Sequence, residues 1–227
     1  MKILALDSAA QACSVAIWQD TGIIAHEFEE MARGHASDLL PMVDRVLAQA
    51  SMRVTDMDAI AVTVGPGGFT GLRIALACAR GFGVAAKLPV IGITTLEALA
   101  YAESDRRLPL LAALDAKRAD LYAQYFAPDN TALSDPVAQM PQDIVSLCPP
   151  QTTEILIAGD CFERLQPLFL EKGVSAIKAD TRNPDAAAVA TLAARRGLPT
   201  DPSQRPSAFY IRPPDAALPK NGGRLRP

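Results

Sequence analysis

The feature that most constrains the fold is an order of strands and helices that occurs twice along the chain. A shift of 108 positions aligns Ala113-Leu114-Asp115 with Ala5-Leu6-Asp7, and a segment of alternating apolar and polar residues follows each aspartate. Further short strands and helices come after these segments in a similar order in both halves. A repeat of this kind predicts the duplication of one α/β unit, because each copy supplies its own strands and the helices that cover them.

The first copy is predicted to follow the order βββαβαβα. Alternation at period two indicates its strands, and apolar residues recurring every three or four positions indicate its helices. The first three strands should form an antiparallel meander, because only short turns separate them. We expect strands at 2–7, 12–19, 22–30, 58–64 and 89–93, and helices at 35–50, 72–86 and 95–103.

The second copy is predicted to be shorter and to lack a clear third strand. Polar residues at 104–108 indicate the boundary between the copies, so the predicted domains are 1–104 and 105–214. A basic, flexible tail at 215–227 follows, which could touch RNA or remain solvated. After the strand ending at Asp115 and the alternating strand that follows it, we expect helices at 141–147, 162–170 and 184–196, and strands at 155–158 and 174–177.

Composition excludes several classes of protein. Alanine accounts for 40 of the 227 residues, which predicts closely packed helices. A net charge of −3 and an aromatic share of 5% disfavour a protein that binds phosphate backbones unaided. No apolar run is long enough for a membrane helix, and Asp7 interrupts the first apolar run too early for a secretory signal. The four scattered cysteines indicate neither a disulfide framework nor a zinc ribbon, so we expect a reduced, cytoplasmic protein.

The most distinctive local motif is the glycine-rich run GPGGFTGLR at 65–73. It matches neither the Walker pattern nor G-x-G-x-x-G, yet it joins a predicted strand to a predicted helix. Backbone N–H groups at such a turn can hold an anion, with Gly67, Gly68, Thr70 and Arg73 as the candidate residues. The glycines could equally serve a tight turn or a close approach of two segments. The sequence leaves both interpretations open.

Two aspartates stand at equivalent positions in the two copies. Asp7 and Asp115 each end a strand, and in a closed two-lobed fold they would face a shared cleft. Carboxylates in that position can hold hydrated magnesium beside a nucleotide. The simpler alternative is that each aspartate accepts hydrogen bonds from its own turn.

The helix predicted at 72–86 carries small residues four positions apart, which allows another helix to approach closely. Ala75, Ala79 and Gly83 form one such row, and Ala77 and Gly81 form a second. These rows could pack on the lobe's own sheet or form an interface with a partner.

The histidines offer no metal site. The chain has only His26 and His35, which are nine positions apart, and no H-E-x-x-H pair is present. We therefore predict neither a metal nor a cofactor.

Several segments together point to a known family. They are ILALDSA, HASDLLPMVDRVL, AVTVGPGGFTGLRIALACARG, GITTLEALA, LDAKRADLYAQYF and FYIRPPDA. On these motifs, which cover nearly the whole chain, the sequence resembles the bacterial TsaB (YeaZ) family of tRNA threonylcarbamoyladenosine biosynthesis proteins. The resemblance implies a duplicated, two-lobed α/β fold of the actin-like (ASKHA, ribonuclease H-like) class. It further implies a role in forming the modified nucleoside threonylcarbamoyladenosine in tRNA.

The resemblance also implies which partners the chain has. Members of this family bind and activate TsaD, the catalytic paralogue, and the ATPase TsaE joins the complex, so tRNA is met only through the complex. The paralogue has metal-binding histidines where this chain has Thr95 and Leu99, which implies an accessory subunit without catalytic residues. The alternative is an actin-like, ATP-dependent kinase or ATPase that uses Asp7, the glycine-rich run and Asp115.

The same resemblance places the partner interface on the two helices at 35–50 and 70–86. The sequence leaves open whether the isolated chain is a monomer or a homodimer through these helices. A charge at Ala79 is then expected to abolish pairing without unfolding the chain. The residues predicted to bind the partner are His35, Leu39, Leu40, Val43, Leu47, Leu72, Ala75, Leu76, Ala79, Phe82 and Gly83.

Overall fold

The first half of the chain forms a mixed five-stranded sheet in the computed structural model, which describes residues 1–103, 106–201, 203 and 205–212. The strand order is β3-β2-β1-β4-β5. The first three strands are antiparallel, as predicted, and β4 and β5 extend the sheet in parallel to β1. The bounds are β1 (Lys2–Asp7), β2 (Ala12–Gln19), β3 (Gly22–Glu30), α1 (His35–Gln49), β4 (Ala59–Gly65), α2 (Phe69–Ala85), β5 (Val90–Thr94) and α3 (Thr95–Ala102).

The second half repeats this arrangement. Its sheet has the order β10-β9-β6-β7-β8, so that each strand occupies the place of its counterpart in the first sheet. The predicted duplication is confirmed. The bounds are β6 (Leu110–Asp115), β7 (Leu121–Phe126), β8 (Val137–Gln139), α4 (Pro141–Ser146), β9 (Glu154–Gly159), α5 (Phe162–Glu171), β10 (Ser175–Lys178) and α6 (Ala186–Arg196).

Three predicted details are corrected by the structure. A third strand, β8, is present in the second copy, but with three residues it is too short to show alternation. Helix α2 begins at Phe69 rather than Leu72, because Gly68 is extended and serves as its N-cap. Helix α6 begins at Ala186, since the Asp185 side chain accepts a hydrogen bond of 2.8 Å from the Ala187 N–H and caps the helix there.

Helices cover both faces of the first sheet. On one face α1 and α2 pack over a core of larger side chains that includes Leu4, Val15 and Ile60. On the other face lies α6, which comes from the second half of the sequence but contacts β1 and β2. Alanines of α6 meet alanines of the sheet, among them Ala5 and Ala16. The alanine content therefore allows a helix to lie close against the sheet.

Helix α3 connects the two sheets. It contacts β4 and β5 of the first sheet and β6, β7 and β9 of the second. Leu96 and Leu99 are fully buried with Leu110 in a core that belongs to the second sheet. A capping box formed by Thr94 and Glu97 determines where this helix begins.

The segment at 205–212 has no regular secondary structure and runs along α2 and the end of β4. The Phe209 N–H donates to the Val64 carbonyl over 2.7 Å, and Arg80 donates to the Pro206 carbonyl over 2.6 Å. At its end Arg212 forms an ion pair with Asp120, which lies in the turn before β7. The sequence predicts extended packing here, and these contacts confirm that the segment packs against the rest of the chain. The predicted flexible tail at 215–227 lies outside the described residues.

Candidate functional site

A cleft of about 1220 Å³ opens between the loops of the two halves. Its first wall contains the turn after β1, the loop before α1 and the glycine-rich run. Its second wall contains the turn between β6 and β7, together with Asp160 after β9. Tyr210 and Arg212 of the C-terminal segment close one side. The cleft thus lies where the strand ends of the two copies meet.

Asp7 lies beneath this cleft rather than in it. Its side chain is fully buried and is absent from the cleft lining. One carboxylate oxygen accepts hydrogen bonds from the Thr63 hydroxyl at 2.5 Å and the Ala9 N–H at 3.2 Å, while the other oxygen has no hydrogen-bond partner. Burial raises the pKa of Asp7 to about 7, although the hydrogen bonds from Thr63 and Ala9 oppose this.

Asp115 does line the cleft, on the second wall. Its carboxylate lies 3.5 Å from the Lys117 ammonium and 3.4 Å from the Arg164 guanidinium, and it accepts a hydrogen bond from the Lys117 N–H. Asp160 lies beside it and accepts a hydrogen bond of 2.8 Å from the Asp115 N–H. Asp160 was not predicted as a site residue, although it too is an acidic residue that follows a strand. The structure does not bring Asp7 and Asp115 together in the cleft, so the kinase alternative gains no support.

The glycines of the run at 65–73 are explained by close packing. A Cβ at Gly67 would lie 2.4 Å from the Ala9 carbonyl oxygen, and a Cβ at Gly71 would lie 2.0 Å from that of Ser8. The Gly68 N–H donates to the Ala9 carbonyl, so it is not directed to a ligand. Of the two interpretations, these contacts favour the close approach of two segments. Thr70 is exposed at the start of α2 and lines the cleft.

Arg73 lies at the rim of the cleft in a cluster with two aromatic residues. Its guanidinium carbon is 3.7 Å from the centre of the Phe69 ring, and its Nε donates to the Tyr210 hydroxyl over 3.2 Å. Phe69 and Tyr210 were not predicted as site residues. They are 141 positions apart in the sequence, and only the return of the C-terminal segment brings them together.

Most of the residues predicted to bind a partner are buried inside the chain. Apolar periodicity marks the helix face that must leave water, and the first sheet already covers that face. His35 and Phe82 are partly buried, and Leu40 is exposed. The buried residues of the predicted set are Leu39, Val43, Leu47, Leu72, Ala75, Leu76, Ala79 and Gly83.

A different set of side chains on the two helices remains at the surface. Val84 is 70% exposed and Leu40 is 49% exposed. Ala77 and Gly81, the second row of small residues, are exposed on α2, and a Cβ at Gly81 would meet nothing within 4 Å. We call Leu40, Ala77, Gly81 and Val84 the α1–α2 face. It combines large apolar surface with small residues that allow close approach.

The described part of the chain contains no group of three or more His, Cys, Asp or Glu residues that could hold a metal ion. His26 pairs with Asp185 at 2.7 Å, which raises the pKa of His26, and His35 bonds the Ala10 carbonyl oxygen at 3.1 Å. Thr95 and Leu99 of α3 are both buried.

Among the described helices, none is long and apolar enough to span a membrane.

Curated proteins of known pathway resemble this sequence. It is 41% identical over 133 residues to the tRNA threonylcarbamoyladenosine biosynthesis protein TsaB of Escherichia coli, a match covering 57% of each chain. It is 39% identical over 124 residues to TsaB of Haemophilus influenzae, covering 54% of this chain and 52% of that protein. The chain thus spans little more than half the length of these curated relatives.

Solved structures resemble most of the chain. A Pseudomonas aeruginosa protein described as similar to the peptidase YeaZ matches with a TM-score of 0.78 and 28% identity, covering 93% of this chain and 99% of that one. Component A of the Acidaminococcus fermentans (R)-2-hydroxyglutaryl-CoA dehydratase matches with a TM-score of 0.50 and 11% identity, covering 86% of this chain and 98% of that one, and therefore shares the fold alone. With the two mixed, helix-flanked sheets, these matches confirm the predicted actin-like α/β fold.

A family model matches the chain over residues 22–167, which is more than half of its length. Its description is TsaD, tRNA N6-adenosine threonylcarbamoyltransferase. The matched region runs from β3 into the middle of α5 and includes both helices of the α1–α2 face. The chain therefore belongs to the TsaD family of tRNA N6-adenosine threonylcarbamoyltransferases, within which it is similar to the TsaB (YeaZ) proteins.

Proposed function

We propose that this chain is an accessory subunit in the formation of threonylcarbamoyladenosine in tRNA. In this proposal it binds and activates the catalytic subunit TsaD, and TsaE joins the same complex. The names of the TsaB relatives support the pathway, and the match to the TsaD model supports a fold similar to that of the catalytic subunit.

The observation that carries the proposal is the exposed α1–α2 face. Large apolar side chains at this exposure lose their contact with water when a partner binds. Each then contributes to the free energy of binding in proportion to the apolar area that becomes buried. Gly81 and Ala77 lie one helical turn apart, so a partner helix can approach the α2 backbone closely. In the absence of TsaD the same face pairs two copies of this chain, since a face that buries apolar surface against one helix pair can do so against its own copy.

The accessory role rests on the surroundings of α3. The two positions that correspond to the histidines of the catalytic paralogue hold Thr95 and Leu99, and both side chains are buried. Neither His26 nor His35 can replace these histidines. Both are far from α3 in the sequence, and their ring nitrogens already bond Asp185 and the Ala10 carbonyl oxygen. Metal-dependent transfer therefore belongs to the partner in this proposal.

Replacing Gly81 by glutamate is expected to weaken pairing with TsaD at least tenfold while the chain remains folded. The new side chain enters open space on the isolated chain but places a charge in the middle of the α1–α2 face. Gly81→Ala should stabilise the isolated chain by up to about 1 kcal/mol, because alanine favours the helix. Pairing is measured by co-elution with TsaD, and folding by thermal melting.

The matched control is Leu170→Glu, which puts the same charge on a side chain that is 73% exposed on α5, away from the face. It should leave pairing unchanged. Normal pairing by both Gly81→Glu and Val84→Glu would refute the proposed face. Undiminished tRNA modification in a mixture of TsaD, TsaE and tRNA that lacks this chain would refute the proposed function itself.

A further inference from the structure

The chain passes from one half to the other at two places. One connection runs from α3 to β6, and the other runs from β10 to α6. Helices α3 and α6 contact each other, and α3 packs against both sheets. Two packed units that are joined in this way can change the width of the cleft between them through small changes at the connections, unless a further contact holds them.

The segment at 205–212, which we call the strap, provides such a contact. Along most of its length it is bound to the first half. The Phe209 N–H donates to the Val64 carbonyl over 2.7 Å, and the Arg80 guanidinium donates to the Pro206 carbonyl over 2.6 Å. The strap is therefore tied both to the end of β4 and to the middle of α2.

The first half has a recess in which the strap lies. A Cβ at Gly65 would lie 2.6 Å from the Phe209 carbonyl oxygen, and a Cβ at Gly92 would lie 2.9 Å from the Pro206 Cβ. Glycine at these two positions leaves the space that the strap occupies. The strap is thus packed into the first half as well as hydrogen-bonded to it.

Tyr210 fixes the far end of the strap to the start of α2. Its hydroxyl accepts a hydrogen bond of 3.2 Å from the Arg73 Nε, and its ring lies 6.2 Å from the ring of Phe69. Tyr210 also lines the cleft, together with Arg212. The strap therefore leaves the first half at the edge of the cleft.

The contact of the strap with the second half is the ion pair between Arg212 and Asp120. The Asp120 side chain is 11% exposed and the Arg212 side chain is 26% exposed. Because both charges are largely removed from water, the desolvation penalty offsets much of their attraction. Such a pair contributes little net free energy, so a small change can open it. The several contacts on the first half hold the strap more firmly, and the ion pair is the end that releases.

We propose that the strap is a latch across the cleft, with the Arg212–Asp120 ion pair as its releasable end. While the pair is formed, the strap adds a third connection between the halves and keeps the cleft narrow. When the pair opens, the strap stays on α2 and the two halves move apart about α3. The latch requires neither TsaD nor tRNA, so this proposal and the proposed function can each fail alone.

The test measures a distance across the cleft in the full chain by double electron–electron resonance. Spin labels are attached to Ala36→Cys, which is exposed on the first wall, and to Gln166→Cys, which is exposed on α5 just beyond Asp160 of the second wall. Cys78 and Cys148 are replaced by serine, and the two remaining cysteines are buried. Labelled chain is diluted with unlabelled chain, so that only distances within one chain are measured.

Asp120→Asn and Arg212→Ala should each shift the distance distribution to longer values and broaden it. The double variant should open the cleft no further than either single variant, since both remove the same contact. Arg212→Lys keeps the charge and should retain most of the short distances. Chymotrypsin cleavage after Tyr210 should become at least tenfold faster in the two single variants, because cleavage follows the population of the released strap.

The matched control is Arg45→Ala, which removes an ion pair with Glu27 that lies within the first half. It should change neither the distance nor the rate of cleavage. Unchanged distances in Asp120→Asn and Arg212→Ala, or an equal shift in Arg45→Ala, would overturn the proposal. Faster cleavage without a change in distance would also overturn it, because the strap would then pack on the first half without holding the second.

Discussion

Replacing Ala79 by glutamate is expected to unfold the isolated chain. Ala79 is fully buried in the core that α1 and α2 form with the first sheet. A carboxylate there would lie among the apolar side chains of this core, and an uncompensated buried charge costs about 3–5 kcal/mol. That is a large part of the total free energy of unfolding of a typical domain. The resemblance implies the opposite for this substitution, a loss of pairing without unfolding.

The measurement is a thermal melt followed by circular dichroism. Ala77→Glu is the matched control, since it lies two positions away on the same helix with its side chain exposed. It should melt close to the unsubstituted chain, because glutamate costs only a few tenths of a kcal/mol in helix propensity. An Ala79→Glu variant that melts as late as Ala77→Glu would show that α2 is rotated relative to the structure described above.

Replacing Asp7 by asparagine is expected to stabilise the chain most above pH 7 and by less than half as much at pH 5. The pKa of Asp7 in the folded chain is about 7, against an ordinary value of 3.8, because burial disfavours the charged form. The folded state therefore binds this proton more tightly than the unfolded state. The stability that the protonated Asp7 contributes is complete below about pH 4. It is lost as the pH rises to 7, by an amount on the order of 4 kcal/mol. Asparagine resembles the protonated acid and avoids this loss.

Urea unfolding at pH 5 and pH 8.5 measures the difference between Asp7→Asn and the unsubstituted chain. That difference is the informative quantity, since the raised pKa of His26 also makes stability fall with rising pH. Asp44→Asn, at an exposed position of α1, controls for the change in net charge. Equal pH dependence in Asp7→Asn and the unsubstituted chain would contradict the burial of an ionisable carboxyl group at this position.

The elements of the fold could be predicted because their signals are local. The first three strands have the predicted bounds, and the glycine-rich run lies between β4 and α2 as expected. Short strands and the exact ends of capped helices are harder to predict. Strand β8 has only three residues, and the start of α6 depends on the Asp185 side chain. The candidate site was predictable only in part. Arg73 and Asp115 line the cleft as the motifs suggest, whereas Phe69 and Tyr210 meet through a contact between distant segments.

By itself, the sequence of this protein determined that two copies of one α/β unit are present, because the order of strands and helices repeats along the chain. It also determined which helices carry apolar and small residues. Only the tertiary structure decided which row of small residues the first sheet covers, and therefore that Gly81 rather than Ala79 is exposed. It also decided that Asp7 is sealed while Arg73 faces the cleft. Burial depends on how distant segments pack, and periodicity along one helix does not contain that information.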